Sequence, residues 1–171
     1  IVEGAFDHRG TIVDGFVFDR RDYNLYQDDG DLMVDRSNRS ESVWLASAGS
    51  VVRNCVFVNG ATGALLISTA SLVENNVFIN HVGAIVTVRR GDDNTPTVVR
   101  NNTLLFSWNE KFGQGNVTTG YGLKFDTQSR GVAESNIIAF IDNHGIEVFG
   151  DPNDVSINNN VFSHNLWSNY E

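Results

Sequence analysis

A short phrase of apolar, polar and apolar residues returns six times along the chain. Its clearest copies are Val51-Val52-Arg53-Asn54-Cys55-Val56-Phe57 and Leu72-Val73-Glu74-Asn75-Asn76-Val77-Phe78. It recurs at Val98-Val99-Arg100-Asn101-Asn102-Thr103-Leu104, Val132-Ala133-Glu134-Ser135-Asn136-Ile137-Ile138 and Ser156-Ile157-Asn158-Asn159-Asn160-Val161-Phe162, with a weaker copy at Ile12-Val13-Asp14-Gly15-Phe16-Val17-Phe18. Aligned on Val17, Val56, Val77, Thr103, Ile137 and Val161, the copies are 39, 21, 26, 34 and 24 residues apart. Such self-similarity marks a solenoid. A step of 21 holds three short strands and their corners. The third strand of each coil starts near a glycine, as in Gly63-Ala64-Leu65-Leu66-Ile67, Gly83-Ala84-Ile85-Val86-Thr87-Val88, Gly122-Leu123-Lys124-Phe125-Asp126 and Gly145-Ile146-Glu147-Val148-Phe149. Helical periodicity is absent, and β-branched and aromatic residues dominate. The expectation is an all-β, right-handed, three-sheet parallel solenoid of about six coils, forming one domain over residues 1–171.

One column of the repeat is polar: Asn54, Asn75, Asn101, Ser135 and Asn159. Asparagine tolerates left-handed backbone angles and so suits a sharp corner. Stacked amides also bond one another, which makes this column structural rather than a row of ligands.

Excess length marks loops, at about 19–42 and 107–119. Both precede a glycine-initiated strand, so both are expected to rise on one edge of the third sheet and to wall a groove. Strand alternation supplies its floor. With Ala84, Val86 and Val88 inward, Ile85, Thr87 and Arg89 face out; with Leu123 and Phe125 inward, Lys124 and Asp126 face out, and Glu147 follows in the next coil. The floor reads either as a solvated ladder of ion pairs or as a polar site. His81 and His144 fall just before two of these strands, as general acid–base candidates or as corner hydrogen-bonding groups.

Composition narrows the field. At 171 residues and 41% hydrophobic, the chain supports a folded core. No apolar run approaches the ~18 residues that span a membrane, so no membrane partner is expected. A net charge of −9 without a basic stripe argues against nucleic acid. The lone Cys55 excludes an internal disulfide and reads as a buried small hydrophobe. The acidic run Asp28-Asp29-Gly30-Asp31 is a calcium candidate, although it lacks the EF-hand spacing; no metal-ligating residue is assigned.

On these repeats, over residues 12–165 or so, the chain resembles the right-handed parallel β-helix superfamily, the pectate-lyase-like fold with PbH1-type repeats. The resemblance implies a secreted or periplasmic protein acting on polysaccharide, with uronate lyase or epimerase chemistry. Carried onto this sequence, Lys124 or His144 would serve as base and Arg89 would neutralise the substrate carboxylate. Glu147 and Asp126 would complete the catalytic set by holding a cation that does the same, and Trp108, Tyr121, Phe112 and His81 would bind substrate. The chain departs from known patterns: Asp151-Pro152-Asn153-Asp154 matches the Asp-Pro-His motif of alginate epimerases poorly, and no aspartate cluster like that of polygalacturonases is present. The alternative is a non-catalytic carbohydrate-binding, adhesion or spacer module. No capping helix precedes Ile12 or follows Val161, so the ends are expected to stack on further coils or on another subunit.

Overall fold

The computed structural model describes residues 10–19, 42–60, 64–90, 94–108, 111–112, 115–116 and 120–171. Six coils follow the repeat. The first holds β1 (Ile12–Asp14), β2 (Val17–Asp19) and β3 (Val43–Leu45). The second holds β4 (Val51–Arg53), β5 (Val56–Gly60) and β6 (Leu65–Ile67), and the third β7 (Leu72–Glu74), β8 (Val77–Val82) and β9 (Val86–Val88). In the fourth, β10 (Thr97–Arg100) and β11 (Thr103–Trp108) are followed by a small antiparallel hairpin, β12 (Lys111–Phe112) and β13 (Gly115–Asn116), before β14 (Leu123–Phe125). The fifth holds β15 (Gly131–Glu134), β16 (Ile137–Ile141) and β17 (His144–Val148), and the sixth β18 (Val155–Asn158), β19 (Val161–Ser163) and β20 (Ser168–Tyr170).

Like strands stack into three parallel sheets, ordered β1-β4-β7-β10-β15-β18, β2-β5-β8-β11-β16-β19 and β3-β6-β9-β14-β17-β20. The fold is a right-handed parallel β-helix. Among the described residues no helix is long and apolar enough to cross a membrane.

Register follows from the alternation, because a slip of one residue would turn every inward side chain outward. Phe18, Phe57, Phe78, Leu104, Ile138 and Phe162 align across the second sheet. The first three rings stack 4.7 Å apart inside the coil. Full burial of one such ring contributes about 1.5–3 kcal/mol. Two assignments differ from the alternation: Ile85 is fully buried in the core rather than facing out, and Ala84 is half-buried rather than in the core. Strand β9 begins only at Val86, and Gly83 turns the chain with φ 82°, so strict alternation does not reach Ile85.

The polar corner is left-handed as its residues predict: Asn54, Asn75, Asn101, Ser135 and Asn159 all have φ between 54° and 56°. The buried amide ladder, however, belongs to the next position. Asn76, Asn102, Asn136 and Asn160 each donate through Nδ2 to a carbonyl of the preceding coil. Along the ladder, Asn76 Nδ2 donates to Asn102 Oδ1, and Asn102 Nδ2 to Asn136 Oδ1, both at 3.0 Å. Cys55 fills this position in the second coil, its thiol aimed at the Val13 carbonyl 3.7 Å away. Space, not φ, explains the glycines at two later corners. A Cβ on Gly122 would stand 2.5 Å from the Gly145 carbonyl oxygen, and one on Gly145 would stand 2.6 Å from that of Asn169.

Candidate functional site

The outer face of the third sheet carries the predicted polar strip. Thr87, Lys124 and Glu147 are register partners across β9, β14 and β17. Lys124 Nζ lies 2.7 Å from Asp126 Oδ1, and Arg89 Nε lies 3.6 Å from Asp126 Oδ2. The Lys124 ammonium also stands over the Phe149 ring, 4.7 Å from its centroid. Arg89, Lys124, Asp126, Glu147 and His144 are therefore brought together along neighbouring coils. Pairs this exposed contribute about 0–1 kcal/mol each, so stability does not account for the strip.

At its far end the strip closes on three side chains whose donor atoms converge. His144 opens β17, Glu147 stands three residues along it, and β20 lies beside it with His144 opposite Ser168 and Ile146 opposite Tyr170. That register brings Glu171, the next residue, onto the same patch. His144 Nε2 is 3.1 Å from Glu171 Oε2 and 3.7 Å from Glu147 Oε2, and the three donor atoms lie within 4.8 Å of one another. On the other side of the ring, His144 Nδ1 lies 2.5 Å from Ser168 Oγ. The Ser168 hydroxyl also reaches the Tyr170 carbonyl at 3.2 Å, which holds the serine against the ring. Tyr121 stacks on the imidazole at 6.1 Å and Trp167 meets it edge-on at 6.0 Å, which fixes the ring plane.

This arrangement leaves Nε2 facing two carboxylates. A bare lone pair there would be repelled; a proton or a cation between them resolves the conflict. Glu147 Oε2 is buried and accepts no hydrogen bond. Burial pushes the Glu147 carboxyl above its ordinary range and Glu171 adds to that, while His144 and Lys124 oppose it. Nitrogen–oxygen separations near 3 Å match the edge of a coordination shell with bonds of about 2.0–2.2 Å.

Three of the four predicted substrate contacts fall elsewhere or differ in character. His81 is fully buried: its Nδ1 accepts from the Gly60 amide at 3.1 Å and its Nε2 lies 3.2 Å from the Phe57 carbonyl. It is a corner histidine of the interior, with no nitrogen left for a substrate. Trp108 donates to Asn80 Oδ1 at 2.9 Å and stacks with Phe106 at the end of the second sheet, away from the polar strip. Tyr121 is on the strip but only 8% exposed, so it supports His144 rather than offering an open ring. The side chain of Phe112 lies outside the described residues, as do Asp28-Asp29-Gly30-Asp31 and most of both predicted loop walls. The groove that is described lies instead beyond the C-terminal ends of β9, β14 and β17. It measures about 500 Å³ and is lined by Arg90, Gln128, Arg130, Phe149, Asp151 and Asp154. Sequence reasoning missed Glu171, Ser168 and Phe149. Ser168 lies on the sixth coil's third strand and Glu171 just after it, in a segment that lacks the glycine used to find the others.

Residues 12–170 match a family model described as "Periplasmic copper-binding protein (NosD)". The chain belongs to the NosD family. No curated protein and no solved structure matches it. The NosD match spans all six coils and agrees with the repeat architecture. Among the described residues, His144, Glu147 and Glu171 form the group of three or more side chains placed to share a metal ion.

Proposed function

We propose that this NosD-family β-helix works outside the cytoplasm and binds copper through His144, Glu147 and Glu171. The unpartnered, buried Glu147 Oε2 beside His144 Nε2 supports this reading most directly. A folded protein rarely leaves a buried carboxylate oxygen without a donor, because the cost is about 1–3 kcal/mol or more. A bound cation would supply what the protein does not. The family description supports copper as the metal and the periplasm as the compartment. The test is titration of metal-stripped protein with Cu²⁺, followed by calorimetry and electron paramagnetic resonance. One equivalent bound by the wild type and lost in Glu147→Gln and His144→Ala is expected. No binding by the wild type overturns the reading.

A second reading follows from the groove. Phe149 is 47% exposed, carries the Lys124 ammonium over its ring and lies between the strip and the Arg90–Gln128 pair. Exposed aromatic and cationic groups in a concavity suit a sugar polymer bearing carboxylates. On this reading Arg89 and Lys124 hold uronate carboxylates, and elimination or epimerisation would use Lys124 or His144 as base. Proton abstraction by Lys124 would require its pair with Asp126 to open. Incubation with a panel of uronate polymers, read at 235 nm and by retention on the immobilised polymers, tests it. Neither absorbance nor retention on any polymer removes it.

A further inference from the structure

Resting on the copper reading, we infer that the site is built for the divalent ion, discriminates against Cu⁺, and depends on Ser168 as a positioning residue.

The donor set carries the first part. One imidazole nitrogen and two carboxylate oxygens suit Cu²⁺, whereas Cu⁺ selects thiolate and thioether sulfur. The chain's single cysteine, Cys55, is 1% exposed in the second coil, with its thiol directed at the Val13 and Arg53 carbonyls. The cluster instead joins the fifth and sixth coils. Two carboxylates also balance the charge of a divalent ion, while a monovalent ion would leave net negative charge at a half-buried site.

The hydrogen-bond chain carries the second part. Ser168 Oγ lies 2.5 Å from His144 Nδ1 and 3.2 Å from the Tyr170 carbonyl oxygen. The ring is thereby held with Nε2 toward both carboxylates, and when a metal takes Nε2 the remaining ring proton sits on Nδ1 and is donated to Ser168 Oγ. The serine never touches the metal. It selects which nitrogen is offered and fixes the ring against Tyr121.

The experiment uses the whole chain labelled with ¹⁵N-histidine. With diamagnetic Zn²⁺ in place of Cu²⁺, the His144 ring shifts should report metal on Nε2 and a proton on Nδ1; Ser168→Ala should mix the two ligation modes and Ser168→Thr should restore the single one. Cu²⁺ should broaden the His144 resonances and give a one-nitrogen hyperfine pattern. Ser168→Ala should weaken Cu²⁺ binding about 10–100-fold, the range for loss of an outer-shell partner, with Ser168→Thr near wild type. Cu⁺, presented anaerobically from a chromophoric cuprous chelator, should leave the His144 resonances unmoved. Cu⁺ shifting them at lower concentration than Cu²⁺ overturns the discrimination. A Ser168→Ala variant with wild-type ligation mode and affinity overturns the positioning role. Absence of any Cu²⁺ effect on His144 removes the copper reading on which both parts stand.

Discussion

Lys124 Nζ pairs with Asp126 Oδ1 at 2.7 Å, although its register partner across β14 and β17 is Glu147. Asp126 lies two residues along on the same face, and its other oxygen also meets Arg89. Glu147 is thus left without a committed cation from the strip and faces His144 and Glu171 instead. One strip therefore carries two different side-chain clusters: a self-neutralising ion-pair cluster over the third and fourth coils, and a His–Glu–Glu cluster over the fifth and sixth.

The division predicts separable phenotypes. Lys124→Met should lower retention on uronate polymers several-fold while leaving Cu²⁺ affinity within about threefold of wild type. Its effect on stability should stay within about 1 kcal/mol, as for exposed ion pairs. Affinity chromatography, calorimetry and urea melts on the same sample check all three. Equal losses of polymer and copper binding would show that the two groups act as one site.

Glu147 is held at a cost when no cation is bound. Its folded-state pKa is raised by burial, so the folded protein binds more protons than the unfolded chain between the two pKa values. Stability from this group is present at acid pH and is lost as pH rises through the raised value. Glu147→Gln should therefore raise the melting temperature of the metal-free protein at pH 7–8, and the gain should vanish near pH 4. Added Cu²⁺ should reverse the order, stabilising the wild type and not the variant. A Glu147→Gln protein that melts lower than wild type at pH 8 would show that the carboxylate has a stabilising partner instead.

The fold was legible because its information is local and repeated. Each coil restates the same alternation, so an error in one copy is corrected by the next, and the strip of Lys124, Asp126, Arg89 and Glu147 followed from register alone. The donor cluster was half legible. His144 and Glu147 lie in a clear repeat, but Glu171 reaches them only through pairing of β17 with β20, a strand whose sequence Ser168-Asn169-Tyr170 carries no apolar alternation. His81 and His144 looked alike in sequence, each near a glycine-initiated strand. They differ in three dimensions because both nitrogens of His81 are taken up inside the corner by Gly60 and Phe57, whereas His144, 9% exposed, begins its strand with Nε2 turned toward Glu147 and Glu171. The amide ladder was displaced by one residue for a related reason. Adjacent Asn101 and Asn102 share a composition, and only the backbone angle tells the turning residue from the stacked one.

That adjacency gives a sharp contrast. Asn101 is exposed with φ 55°, so Asn101→Gly should be neutral or mildly stabilising, because glycine accepts the left-handed angle freely. Asn102 is 1% exposed and bonds both neighbours of the ladder as well as the Val73 carbonyl. Asn102→Ala strands buried polar groups in the coils on either side and should cost about 2–4 kcal/mol. Urea denaturation at neutral pH measures both. Similar costs for the two variants would mean that the ladder bonds contribute nothing beyond the turn.

His81 makes acid stability depend on one interior ring. Burial lowers its pKa from the ordinary value near 6.5 to about 4, and the Phe57 carbonyl opposes that shift only in part. Protonation would also turn the Nδ1 acceptor into a donor facing the Gly60 amide, with no acceptor between them. Above pH 6.5 both folded and unfolded chains hold the ring neutral. Between pH 6.5 and about 4 the unfolded chain takes up a proton that the folded one refuses, so stability falls as pH falls and levels off below the folded-state value. At ~1.4 kcal/mol per unit, the full loss is about 3 kcal/mol. His81→Gln keeps an acceptor for Gly60 and a donor for Phe57 without the titration. Urea melts at half-unit steps from pH 7.5 to 4 should show a falling stability for wild type and a flatter profile for the variant over that window. Parallel profiles would place the acid sensitivity at another group and return His81 to an ordinary packing role.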